Sequence, residues 1–141
     1  MWSTGAAVPR EDHYRPYLET IALDAGCDLS RLNGASVLNA HQQTDLAKVL
    51  GVVTAATVDG RQGTATIRFS DRPDVEPFWR DVVAGVVRHV SVSGPVQHWV
   101  ESRQGAIRIR HAARWTPLEV SFVPIPADPW RHYEEPFHVH S

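Results

Sequence analysis

The 141-residue sequence predicts a mainly β fold, a small closed or nearly closed β-barrel (α+β) carrying one or two helices. Three observations lead there. Ten prolines and nine glycines cut the chain into segments mostly too short for helices of ordinary length. β-Branched runs flank Asp59-Gly60 as the arms of a hairpin do, and residues 73–85 carry the clearest helical periodicity. Closure into a barrel suits many short strands because it removes unpaired edges. A chain of this length hides about two thirds of its unfolded surface, enough for a core without disulfide or metal staples.

The elements follow in order. A helix is one reading of Arg10 to Thr20, and a short helical turn is expected at Asp28 to Leu32. The hairpin runs from Gly51 to Val58 and from Thr64 to Phe69; in its second arm Ala65, Ile67 and Phe69 share one face, the period-2 pattern of a half-buried strand. Between Pro73 and Gly85, residues Val75, Phe78, Trp79, Val82 and Val83 fall at i, i+3, i+4, i+7 and i+8, one stripe of a helix. Its first turn holds the prolines and acids that such a turn tolerates, and Gly85 is placed to end it. Strands are then expected from Val86 to Trp99, Ala106 to Arg114 and Leu118 to Ile125. Pro124, Pro126 and Pro129 end regular pairing, and Trp130 to Ser141 form a tail behind a domain of residues 1–129.

Composition narrows the function classes. Lys+Arg number 14 against 16 Asp+Glu, a balance with no electrostatic grip on nucleic acid. The single cysteine, Cys27, has no internal disulfide partner, and neither a membrane-length apolar run nor the apolar core of a signal peptide is present. The expectation is a soluble, cytosolic domain.

Histidine is the usual proton carrier near neutral pH, and the chain has eight. His41 stands apart, delivered to the end of the apolar stretch Ala35-Ser36-Val37-Leu38-Asn39-Ala40, as a held general base would be, although oriented histidines also serve purely structural ends. Ser91, in Val90-Ser91-Val92-Ser93, sits on a stiff strand; a serine hydroxyl is a weak nucleophile that needs an adjacent base. Alternation puts Ser91 and Ser93 on one face, and on the residues alone the plainer reading is that both simply meet solvent. Glu119 is a carboxylate on the otherwise apolar run Leu118 to Val123. It either orients a histidine by accepting from Nδ1–H or pairs with Arg110 or Arg114.

Taken in order, Leu38-Asn39-Ala40-His41, Phe78-Trp79-Arg80-Asp81-Val82-Val83-Ala84-Gly85, Val90-Ser91-Val92 and Trp115-Thr116-Pro117-Leu118-Glu119-Val120-Ser121-Phe122-Val123-Pro124-Ile125-Pro126-Ala127 resemble the prohead (head maturation) serine proteases of tailed bacteriophages. The last stretch is the most specific, since that family reads L-x-E-V-S-L-V-x-x-P-A there. The resemblance implies a barrel flanked by helices, related to the herpesvirus assemblin proteases. It also implies an acyl-enzyme mechanism with His41 as base, Ser91 as nucleophile and Glu119 as third member, and no metal or cofactor. The implied substrates are scaffold and major capsid protein precursors, cut inside the assembling prohead in the host bacterial cytoplasm. A homodimer or higher oligomer is compatible with it; nucleic acid and membrane are not implied partners. One departure stands out. Where the family has x-G-[F/Y] after the serine, this chain has Val92-Ser93-Gly94-Pro95, which makes Ser93 a rival nucleophile and a catalytically degenerate capsid-interaction module the alternative function. A third reading is a metal site in the tail, from His132, Glu134, Glu135, His138 and His140.

Overall fold

The computed structural model describes residues 6–12, 15–125 and 138–140. The mainly β fold with helices expected from the sequence is observed, its sheets curled into a half-barrel. One sheet has four strands in the order β1-β2-β8-β7: Val8–Asp12, Arg15–Ile21, Ile107–Trp115 and Val96–Gln104. The other has six, β10-β5-β4-β3-β9-β6: His138–His140, Gly63–Phe69, Val49–Val58, Ser36–Asn39, Glu119–Val123 and His89–Ser93. The helix α1 covers Glu76–Val83.

Hydrophobic patterning decides most of these elements. The β4–β5 hairpin buries Ala65, Ile67 and Phe69 on its inner face, as alternation requires. Val75 and Val82 are fully buried along the helical stripe, and Trp79 meets the edge of Phe69 with ring centroids 5.5 Å apart. Val83, on the same expected stripe, is 63% exposed instead, because the short helix turns only its other flank to the sheet. The turn expected after Asp28 is a 3-10 turn over Leu29–Arg31, and the Asp28 carboxylate accepts from the Ser30 N–H to start it.

Two expectations are corrected. Arg10 to Thr20 is not helical: it lies in the antiparallel strands β1 and β2, with Val8 opposite Glu19 and Arg10 opposite Tyr17. Pro16 has no N–H for a helix interior, and the residues alternate instead. Tyr17, Glu19 and Ile21 share one face, while Leu18 and Thr20 share the other. Nor is Val86 to Trp99 one strand. It divides into β6 and β7, which belong to different sheets, and the division falls at Gly94-Pro95. Of the expected tail, His138–His140 pairs in parallel with β5 as β10, and residues 126–137 lie outside the described residues.

The passage between the sheets is tight. Residues 93–96 run beside 115–119, tied by hydrogen bonds from Thr116 N–H to Pro95 O (3.0 Å) and from Leu118 N–H to Ser93 O (2.8 Å). A Cβ on Gly94 would sit 1.8 Å from the Thr116 carbonyl oxygen, so no side chain fits there without parting the two segments. Gly94→Ala is therefore expected to lower unfolding stability by about 3 kcal/mol, read as a shifted urea midpoint at unchanged slope.

Candidate active site

Strand order places the candidate residues. β3, β9 and β6 are neighbours, with Leu38 and Ser91 both paired to Ser121 and Ser93 paired to Glu119. Directly paired residues share a sheet face. Val37, Val90, Val120 and Phe122 point into the core and are essentially inaccessible. The opposite face carries Ser91, Ser93, Glu119 and Ser121, three of them buried: Ser91 (7% exposed), Glu119 (3%) and Ser121 (0%).

His41 reaches this face through a reversal of the chain. Past the end of β3, Ala40 and His41 both adopt left-handed backbone, φ 49° and 59°, which costs an L-residue about 1–2 kcal/mol each. Hydrogen bonds hold the turn: Ala40 N–H donates to Phe122 O (2.9 Å), Gln42 N–H to Asn39 O (3.1 Å) and His41 N–H to Ser121 Oγ (3.0 Å). The imidazole is thereby laid back along β9, where Nδ1 contacts the Glu119 Oε1 carboxylate oxygen. Left-handed, non-glycine backbone held in this way is a mark of functional sites.

Glu119 gathers three donors. Oε1 receives His41 Nδ1–H and the Ser93 hydroxyl (2.6 Å), and Oε2 receives the Ser121 hydroxyl (2.7 Å). Ser121 therefore works twice, accepting from the His41 backbone and donating to the carboxylate. With Nδ1–H committed to Glu119, Nε2 of the neutral ring is the nitrogen left to accept a proton. That is the tautomer a general base needs.

Of the three residues expected from the sequence, His41 and Glu119 are joined directly. Ser91 lies on the same face, opposite Ser121, and the hydroxyls bonded to Glu119 are those of Ser93 and Ser121. Neither alternative arginine pairs with the buried Glu119: Arg110 lies 3.3 Å from Glu101 and stacks on Trp99, and Arg114 is exposed. Sequence reasoning missed Ser121 and Gln43, whose side-chain amide approaches Ser93 Oγ at 3.4 Å. Ser121 had one available signal, its position two residues from Glu119 on a strand. Cys27 offers no rival nucleophile: burial, with Asp28 and Asp24 nearby, pushes its thiol up to about 12.

Two hollows flank the constellation. One, about 210 Å³, lies between β6 and the β1–β2 hairpin and is lined by Ser91 and Ser93; the other, about 330 Å³, is lined by Glu119, Gln42 and Gln43. Among the described residues, no three His, Cys, Asp or Glu side chains are grouped to hold a metal ion, and the tail histidines proposed as ligands either lie outside those residues or are described in backbone only. No described helix is long and apolar enough to cross a membrane.

The chain is similar to part of a viral structural protein. It is 38% identical over 105 residues to the major capsid protein of Halomonas phage phiHAP-1, a match covering 72% of this chain and 17% of that protein. The chain thus spans about a sixth of the length of the curated relative it matches. No protein-family model matches the chain, and no solved structure does.

Glu119→Gln tests the hub. An amide cannot accept from three donors where a carboxylate can, so the variant is expected to lose about 1–3 kcal/mol in urea unfolding. Ala40→Gly relieves one left-handed position and is expected to gain about 0.5–1 kcal/mol by the same measurement.

Proposed function

We propose that this chain is a serine endopeptidase of the phage head, which cuts scaffold and capsid-precursor segments during assembly and maturation in the host cytoplasm. The observation that carries the reading is the buried Glu119 holding His41 by Nδ1, on the same sheet face as Ser91. In the proposed reaction Nε2 of His41 takes the Ser91 proton as Oγ attacks a peptide carbonyl. The imidazolium then protonates the leaving amine, and the acyl-enzyme is released by a water that gives its proton to the same nitrogen. Glu119 keeps hold of Nδ1–H throughout and stabilises the transient cation.

Similarity to one sixth of a phage major capsid protein supports the setting. More than four fifths of that relative lies outside the match, so in it a segment like this one shares a polypeptide with much other sequence. We read the present chain as acting on capsid components.

A second reading rests on Ser93. It stands where the resemblance expects glycine, and its hydroxyl competes with the imidazole for Glu119 Oε1. A catalytically degenerate capsid-interaction module would retain this network without turnover.

Intact mass after incubation with a fluorophosphonate separates the readings. The protease reading expects one adduct, lost in Ser91→Ala and kept in Ser93→Ala, with peptide turnover in Ser91→Ala down at least about a thousandfold. Labelling that survives in Ser91→Ala and vanishes in Ser93→Ala moves the nucleophile to Ser93. No adduct on any variant, with binding to the capsid precursor intact, favours the module.

A further inference from the structure

We infer that the 210 Å³ hollow beside Ser91 is the subsite for the substrate residue that contributes the scissile carbonyl, and that it takes an apolar side chain of leucine to phenylalanine size; this rests on the endopeptidase reading. The hollow has two unlike walls. One is the edge strand β6, which brings Ser91 and Ser93; the other is the inner face of the N-terminal hairpin, where alternation sets Val8, Glu19 and Ile21 side by side. Val96 and the buried Trp115 complete it, and the indole is fixed by donating Nε1–H to Ala22 O at 2.8 Å.

Size and charge select the occupant. Cavities of about 150 Å³ admit benzene, so this one has room for a branched aliphatic or phenyl side chain and leaves alanine or glycine with unfilled space. Its two charged lining residues, Arg10 and Glu19, already face each other at 3.7 Å. A charged substrate side chain would have to compete with that pair, whereas an apolar one leaves it intact and gains buried area. The side chain next to the attacked carbonyl is assigned to this hollow because Ser91, with Ser93, lines it.

The test uses p-nitrophenyl acetate, butyrate and hexanoate, with the Ser91→Ala rate subtracted, and the fluorophosphonate adduct measured on the same samples. Each added methylene is worth about fourfold in kcat/KM while it enters the hollow, so butyrate should exceed acetate by about fifteenfold. Val8→Trp and, independently, Val96→Phe fill the hollow and should flatten this dependence while the adduct still forms. An adduct on wild type with no dependence on acyl length overturns the subsite and leaves the nucleophile standing. Dependence unchanged in both folded filling variants overturns it too. Absence of the adduct from wild type removes the endopeptidase reading and the subsite with it.

Discussion

A carboxylate 97% withdrawn from water must be compensated, and the fold around Glu119 is organised by that requirement. Its oxygens are met by an imidazole and two hydroxyls, each delivered from a different place: His41 from beyond β3, Ser93 from β6, and Ser121 from β9 itself. Strand order makes this possible because β3 and β6 are the two neighbours of β9. The left-handed turn at Ala40-His41 is the remaining condition, since continued extension would carry the imidazole away from the sheet. Ser121 couples the two requirements through one hydroxyl that holds both the turn and the carboxylate.

The β6–β7 and β8–β9 connections link this network to the second sheet. Gly94 permits the close approach of these two segments, and the Leu118 N–H to Ser93 O bond fixes the registry at the point where Ser93 meets Glu119. The Glu119 network is thus carried by the six-stranded sheet, while the opposing wall of the Ser91 hollow comes from the four-stranded one. Changes at Val8 or Ile21 can reshape that wall without touching the hydrogen bonds of Glu119.

Elements with strong local periodicity were legible in the sequence. The β4–β5 hairpin and α1 follow from alternation and from the i, i+3, i+4 stripe, and the face shared by Ser91 and Ser93 follows from period 2. Elements fixed by distant partners were not. β2 is a strand because it pairs in parallel with β8, some ninety residues later, and the pairing of β10 with β5 joins the end of the chain to its middle. His41 and Glu119 could be singled out as a polar group at the end of an apolar run and a charge within one. Ser121 escaped because a serine in a strand has no such contrast, and its importance arises only when the turn brings the His41 N–H to it. Which partner Glu119 takes was open between histidine and arginine. Tertiary structure decides it by laying His41 against Glu119, committing Arg110 to Glu101 and Trp99, and leaving Arg114 exposed.

The central claim is that Glu119 fixes the tautomer of His41, leaving Nε2 as the proton acceptor. Long-range ¹H–¹⁵N correlation spectra of the imidazole nitrogens, at a pH where the His41 ring is neutral, test it most directly. The account predicts a protonated Nδ1 and a bare Nε2 for His41 in the wild type, with that preference lost in Glu119→Gln. A proton on Nε2 in the wild type, or a tautomer indifferent to Glu119→Gln, would contradict it.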